Sequence, residues 1–435
     1  MTGKALAGRR IAVVGAGWAG LAAAVRAVQH GARVTVIEMA REPGGRARRV
    51  RSPAGDSLDN GQHVMIGAYS ATLALMQTVG ADTTGGLLRL PLSLCQPDGR
   101  GLALPAGAPM PAFLRGVLAN RGWRWTDKLA LLRAAGGWVL GGFRATPGQS
   151  VGQLCAVLPA AVQRELIEPL CLAALNTPMA QASAEVFLRV LKDALFSGRG
   201  SADLLLPRVP LSALLPDPAW RWLGAANAHR IAGQRVQALQ PRGGGWQVDD
   251  APFDAVVLAC SATEAARLTG AIAADWSAHA AALRYEPIVT AYLVDPGLRL
   301  PQPMVALPPG PAAPAQFAFD LGALLHDPAA RGRFAFVASG AAAALADGVD
   351  ACGQLLLQQA RSQFRGAFAG PDAQVLLHVA AERRATFACT PNLQRPAMAV
   401  APGLLAAGDY VAGPYPATLE GAVRSGLAAA DALHR

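Results

Sequence analysis

The regular pattern of the chain begins with four consecutive apolar residues, Ile11-Ala12-Val13-Val14, set between Arg10 and Gly15. A short run of this kind, partly β-branched, predicts a strand buried on both faces. Gly15 to Gly20 breaks the pattern as a turn, and an alanine-rich helix follows that should end near Gly31. Arg33-Val34-Thr35-Val36-Ile37 then predicts a second strand, so Arg10 to Glu38 reads as one strand–turn–helix–strand unit.

From about Leu87 to Trp222 strand signals thin out, and Leu/Ala-rich helical patterns alternate with Pro and Gly breaks. A β-rich stretch returns from Ile231 to Ala259, with a hairpin expected around Gly243-Gly244-Gly245 and a buried strand at Ala255 to Ala259. Between Arg284 and Ala381 the pattern predicts strands at Ile288 to Val294, Phe334 to Ala338 and Val375 to Val379, plus a long helix from about Asp347. The Pro/Ala/Gly-rich segment Pro301 to Pro314 reads as a loop rather than a linker. Leu404 to Ala407 predicts a last short strand and Ala417 to Leu433 a final helix, with no internal repeat.

Composition narrows this picture. The chain has 435 residues, 52% hydrophobic and 16% charged, which suits two or three packed domains and excludes a disordered protein. The strongest apolar stretch, Leu129 to Phe143, is broken by Arg133 and paired glycines, so no membrane-spanning helix is expected. A short basic tail leads straight into the first strand, which argues against a signal peptide. Cys95, Cys155, Cys171, Cys260, Cys352 and Cys389 are scattered singly, suiting core positions in a reducing cytosol rather than a metal site or disulfide framework. The net charge of +10 is almost entirely arginine. It suggests attraction to anionic lipid or a phosphorylated ligand, or simply solvated arginines; no recognition helix accompanies it, so nucleic acid is not an expected partner.

Three motifs carry chemistry. In Gly15-Ala16-Gly17-Trp18-Ala19-Gly20, Gly15 permits the tight turn, Gly17 lets a pyrophosphate approach the backbone, and Gly20 lets helix and strand pack closely. The helix start offers N–H groups to phosphate, and Glu38 closes the next strand as a ribose-binding carboxylate. Alone this says only that a dinucleotide binds. The second motif is Arg41-Glu42-Pro43-Gly44-Gly45-Arg46, a glycine-rich turn with an arginine; Arg48, Arg49 and Arg51 beside it read as a solvated or lipid-facing edge. The third is Gly408-Asp409 after an apolar run, followed by Pro416-Ala417-Thr418-Leu419-Glu420-Gly421-Ala422.

These motifs resemble the flavoprotein superfamily of amine oxidases and carotenoid desaturases. The resemblance implies FAD: Arg46 at the pyrophosphate, Asp409 at the ribityl chain, and the helix start at Thr418 and Leu419 aimed at the flavin pyrimidine edge, where reduced flavin carries negative charge. It also implies that Asp59-Asn60-Gly61-Gln62-His63 passes near the isoalloxazine and that a backbone strand at Arg235-Val236 meets adenine. The implied fold is α/β: a Rossmann-type FAD domain with a discontinuous, amine-oxidase-like substrate domain of mixed sheet and helices. The expected division is FAD domain at 1–86, 226–283 and 401–435, a helical substrate- and membrane-facing region at 87–225, and a substrate-domain sheet and helix at 284–400.

A closer resemblance is to the hydroxysqualene dehydroxylases, also called squalene-associated FAD-dependent desaturases. It rests on Gly15 to Val25, Leu58 to His63, Cys171-Leu172-Ala173-Ala174-Leu175-Asn176-Thr177, Glu286-Pro287-Ile288-Val289-Thr290, Arg384-Ala385-Thr386-Phe387-Ala388 and Asp409 to Gly426. Cys260-Ser261-Ala262 departs from it, since a proline-containing turn is usual there. The resemblance implies reductive removal of the hydroxyl of hydroxysqualene, giving squalene for hopanoid synthesis. That chemistry needs a proton donor, for which His63 and Tyr415 are the candidates, and a long dry apolar tunnel. Phe113, Trp123, Trp125 and Trp138 interleave with Arg115, Arg121, Arg124, Lys128 and Arg133, a pattern suited either to a membrane interface or to buried tryptophans with a solvated basic face. The expected setting is cytoplasmic, peripheral on the inner face of the plasma membrane, with an isoprenoid lipid substrate and contact with squalene-forming enzymes. Two other functions stay open: a desaturase or amine oxidase taking hydride from its substrate, and a flavin-binding assembly partner without turnover.

Overall fold

The computed structural model describes residues 6–52, 55, 57–308, 310 and 312–433; the basic tail before residue 6 lies outside them. The first apolar run forms the strand Arg10–Val14, paired in parallel with Arg33–Glu38 on one side and Ala255–Leu258 on the other. The full sheet runs in the order His229–Ala232, Arg33–Glu38, Arg10–Val14, Ala255–Leu258, Leu404–Ala406, Ala399–Ala401, with the last pair antiparallel. Ile11, Ala12 and Val13 are fully buried, because helices cover one face of the sheet and the rest of the protein the other.

The helix Trp18–Gln29 packs directly on the final helix Leu419–Ala432. The approach is close enough that a Cβ on Gly426 would lie 2.0 Å from the Ala19 carbonyl oxygen. Arg26 and His30 then bind Asp431 at 2.6 and 2.8 Å, so both ends of the chain share one two-helix layer. The hairpin at Gly243-Gly244 forms as expected, with Arg242 opposite Gly245 and positive φ at both turn glycines.

A second, five-stranded antiparallel sheet has the order Met304–Ala306, Phe317–Asp320, Arg333–Ser339, Tyr285–Val294, Leu376–Phe387. Its alternation is clean: Val289, Ala291 and Leu293 pack under the helix Val349–Gln363, while Ile288 and Thr290 face the other way into a cavity. Two expectations fail here. Pro301 to Pro314 is not all loop, since Met304–Ala306 is an edge strand inside it; Pro309 and Pro311 lie outside the described residues. The strand expected at Val375 to Val379 runs from Leu376 to Phe387, because Glu382-Arg383-Arg384 ends its apolar pattern while the pairing, after a bulge at Arg383 to Ala385, resumes at Thr386.

The region from 87 to 225 is less helical than its pattern suggested. Leu87–Leu90, Ser93–Cys95, Gly101–Ala103 and Leu204–Pro207 are strands. Leu204-Leu205-Leu206 is too short to display a period, and it pairs with Leu87–Leu90 and Met65–Ile66 as a buried strand. From there the chain is back on the first domain: Leu205, Leu211, Leu215, Ala219 and Leu223 share a core with Leu21, Ala24 and Val25. Among the described residues no helix is long and apolar enough to cross a membrane.

Candidate active site

The turn after the first strand is built by exclusion. Gly15 has φ +107°, and a Cβ there would lie 2.6 Å from the Ala259 carbonyl oxygen; one on Gly20 would lie 1.9 Å from the Gly15 carbonyl oxygen. Gly17 is different, for its nearest neighbour would be the Gly45 Cα at 3.8 Å, leaving an open cradle at the helix start. Glu38, at the end of its strand, accepts hydrogen bonds from the Ala16 and Ala40 N–H groups at 2.6 and 2.8 Å. Gly44-Gly45 crosses directly over this turn: the Gly44 N–H donates to the Ala16 carbonyl at 2.8 Å, and Gly17 bridges Gly44. The Trp18 indole N–H donates to the Ala47 carbonyl at 3.0 Å, fixing the loop that carries Arg46.

Arg46, expected at the pyrophosphate, makes its ion pair with Asp409, expected at the ribityl chain. Its other nitrogen donates to the Arg384 and Ala385 carbonyls. Arg48 donates to the Gly45 carbonyl, and Arg49 lies 3.3 Å from Glu42 and 3.8 Å from Asp217, so these two are tied into the protein, while Arg51 is exposed. Arg395, which the sequence did not flag, donates to the Asp409 and Tyr415 carbonyls at 3.2 and 2.9 Å and shapes the loop between them. At the final helix Thr418 is the N-cap, its hydroxyl accepting from the Gly421 N–H at 3.0 Å, and Leu419 opens the first turn.

Gly15, Gly17, Glu38, Gly44, Gly45, Arg46, Asp409, Thr418 and Leu419 line one cavity of about 730 Å³. Gly61, Gln62 and His63 lie in its wall, with Gly61 at φ +112°. The His63 Nδ1 is 3.1 Å from the Gly61 carbonyl oxygen, so that nitrogen carries the proton and Nε2 is left as an acceptor. Burial, with the Arg46 charge adding to it, pushes His63 below its ordinary pKa and keeps it neutral. Val236 reaches the wall on an extended segment outside any sheet, its carbonyl held by Arg267 at 2.5 Å. Next to it Ser261, in the departing Cys260-Ser261-Ala262, caps the helix Ala262–Thr269 by accepting from the Glu264 N–H at 3.3 Å.

The middle segments meet at Asn176, a helix cap with φ +48°. Its amide donates to the Glu286 carbonyl at 3.1 Å and the Thr386 hydroxyl at 2.9 Å, and accepts from the Gly340 N–H at 2.6 Å. Arg189 and Asp193 escaped the sequence reading. The Tyr415 hydroxyl accepts from Arg189 at 3.1 Å, and the guanidiniums of Arg189 and Arg424 lie 5.1 and 5.4 Å from the ring centroid. Arg189 in turn binds both oxygens of Asp193 at 3.1 Å. Burial raises the Tyr415 pKa, with Asp193 adding to it. Tyr415 and Asp193 both line the cavity.

Away from these groups the wall turns aliphatic and aromatic: Leu92, Leu94, Met110, Phe113, Leu131, Trp138 and Leu166. The helices Pro109–Ala119 and Trp125–Leu140 close that end. Of the four aromatics noted there, Phe113 and Trp138 line the cavity, Trp123 is buried with its N–H on Glu165, and Trp125 is exposed. Lys128 does not belong to a solvated basic face: it is buried, donates to the Leu118 carbonyl at 2.7 Å and lies over the Trp125 ring.

The residues fit FAD on two observations. The Gly17 cradle is open where its neighbours are crowded, and the buried Tyr410 hydroxyl, in the wall beside Asp409, has no partner within the described protein. Known proteins agree. Hydroxysqualene dehydroxylase of Rhodopseudomonas palustris is 28% identical over 97% of this chain and 98% of that protein. Its namesake from Zymomonas mobilis is 26% identical over 96% and 97%. An oxidoreductase from Methanosarcina mazei shares the fold at a TM-score of 0.71, with 15% identity over 96% of this chain and 99% of that one. A putative protoporphyrinogen oxidase from Exiguobacterium matches at 0.67, with 17% identity over 99% of each chain. The profile of the flavin containing amine oxidoreductases covers residues 18–434. With the dinucleotide turn, the Asp409 helix and this match in register, the chain belongs to the flavin containing amine oxidoreductases and is an FAD-dependent oxidoreductase of α/β, amine-oxidase-like fold.

Proposed function

We propose that the chain reductively removes the hydroxyl of hydroxysqualene to give squalene. One observation carries the reading: the cavity that begins at the dinucleotide turn continues into a long apolar chamber, with its ionisable groups near the flavin-binding segments. A small polar amine has no use for such a chamber, and relatives matched along nearly their whole length bear the name of this reaction.

Bound reduced FAD supplies the hydride. The chain's own residues supply the rest. Tyr415 is the proton donor: burial keeps its hydroxyl protonated, and the nearby Arg189 and Arg424 charges favour the phenolate left behind. His63 is neutral with its Nε2 free to accept, so it orients rather than protonates. The walls around Leu92, Phe113 and Leu166 keep water from the electron-deficient carbon.

Lipid enters at the helix pair. Among the described residues, five of the eight exposed large hydrophobics, Leu114, Leu118, Trp125, Leu129 and Leu140, lie on these two helices, whose other faces line the cavity. Exposed Arg115, Arg121, Arg124 and Arg133 surround them, a combination suited to an anionic membrane surface.

The test is anaerobic. Purified protein is reduced and given hydroxysqualene, and flavin reoxidation is followed alongside squalene formation. Coupled reoxidation is the expected result. Bleaching of oxidised flavin by a polyene precursor would instead make the chain a desaturase, and silence toward both lipids would leave a flavin-binding partner of squalene-forming enzymes.

A further inference from the structure

Around Thr290 the cavity face of the five-stranded sheet is mostly apolar, with Ser339 on the adjacent strand. Thr290 is 1% exposed, faces the cavity from the strand Tyr285–Val294, and its Oγ1 has no hydrogen-bond partner in the described protein. Its cross-strand neighbours are Val337 and Ala380, and Ile288 precedes it on the same face. Tyr292, next along, has its hydroxyl committed to the Asp59 carbonyl at 2.7 Å, so it does not serve Thr290. Across the gap is Gly61, where an added Cβ would lie 3.5 Å from the Thr290 Oγ1. Valine has the same shape as threonine, and a buried hydroxyl without a partner is unfavourable. Packing therefore gives no reason for the oxygen, and a ligand in the cavity does.

We propose that the Thr290 hydroxyl is the hydrogen-bond partner of the substrate's own hydroxyl, and the group that lets the site distinguish an isoprenoid alcohol from the hydrocarbon it becomes. This rests on the dehydroxylase reading. Thr290 places Oγ1 where the sheet face meets the Gly61-Gln62-His63 segment, and among the described residues it is the buried hydroxyl of that face left without a hydrogen-bond partner. It is a positioning residue: a neutral alcohol supplies no net proton, and that task stays with Tyr415. Once the substrate oxygen has left as water, Oγ1 is again without a partner, which favours release of the hydrocarbon.

The experiment uses FAD-loaded protein with oxidised flavin, so that no turnover occurs, and reads lipid binding from the perturbation of the flavin absorbance. Hydroxysqualene and squalene are titrated into wild type, Thr290→Val and Thr290→Ser. Thr290→Val is expected to keep the flavin content and lipid-free spectrum, to bind hydroxysqualene about 10- to 100-fold more weakly, and to bind squalene no more weakly than before. Thr290→Ser should restore most of the difference. Unchanged hydroxysqualene affinity in Thr290→Val overturns the proposal. Equal weakening of both lipids overturns it in favour of a packing role, and an altered lipid-free spectrum in favour of a flavin contact. Wild-type protein that binds neither lipid overturns the dehydroxylase reading itself, which is a separate and recognisable result.

Discussion

Arg46 holds both carboxylate oxygens of Asp409, at 2.7 and 2.6 Å, across 363 residues of sequence. The pair joins the glycine loop over the dinucleotide turn to the loop before the final helix, and its carboxylate is nearly buried. Asp409→Asn is expected to weaken FAD binding about tenfold or more while the chain still folds, since a bidentate charge-assisted contact becomes a neutral one. Arg46→Lys should also lose cofactor, because one ammonium cannot hold Asp409 and the Arg384 and Ala385 carbonyls at once, as the two guanidinium nitrogens do. The ratio of flavin to protein absorbance after gel filtration measures both.

The glycines of the first turn separate folding from binding. Gly20→Ala forces a Cβ against the Gly15 carbonyl and should destabilise the apoprotein by about 1–3 kcal/mol. Gly17→Ala meets nothing closer than 3.8 Å and should leave the apoprotein melting temperature unchanged while weakening FAD. Equal losses of stability in the two variants would contradict the cradle.

The proton donor sets a pH profile. Tyr415 is raised above its ordinary value, so the donor stays protonated across neutral pH and activity should fall only on the far alkaline side. His63 is lowered by burial, so any limb it contributes lies on the acid side of the ordinary imidazole range, and His63→Gln should keep the neutral plateau. Tyr415→Phe should cost about 10²- to 10⁴-fold in single-turnover rate. A plateau that vanishes in His63→Gln would reassign the acid.

Asp59 gives stability a pH dependence of its own. Burial pushes its carboxyl up to about 7, against the Leu211 N–H bond and the Arg49 charge, which act the other way. A carboxyl whose folded pKa lies above its unfolded value is protonated in the folded chain, so its contribution is full at low pH and is lost as pH rises from about 4 through about 7. Asp59→Asn keeps an acceptor for Leu211 and should remove that loss, which urea unfolding of apoprotein at pH 5 and pH 8 would register.

Sedimentation with vesicles tests the lipid surface. Binding should require anionic lipid, weaken with salt, and fall in Arg121→Glu/Arg124→Glu; Trp125→Ala/Leu129→Ala should weaken it without altering the salt dependence. Binding that survives both pairs of changes would place the contact elsewhere.

What was legible in the sequence was local. Gly15, Gly44 and Gly61 occupy positive-φ positions that glycine announces, and Asp409 sits at a fixed distance before a helix start. Leu204–Pro207 was hidden because three leucines have no period, and Leu376–Phe387 because charged residues run through a strand whose partner lies far away in sequence. The Asn176 hub joins groups as much as 210 residues apart, and the Arg189–Tyr415 contact spans 226. Neither residue type nor spacing carries such information; it exists only once the sheets are stacked. Thr290 was quoted as part of a motif, but the isolation of its oxygen is a property of the folded cavity.

The layer made by the first and last helices has a consequence for synthesis. A ribosome completes the strand Arg10–Val14 and its helix early, yet the sheet and the Ala19–Gly426 contact close only when the last stretch of chain emerges. Until then the alanine face of the first helix is bare and Arg46 lacks its carboxylate. Stable capture of the cofactor therefore waits on the helix Leu419–Ala432, and a nascent chain that holds FAD firmly is one from which that helix has already emerged.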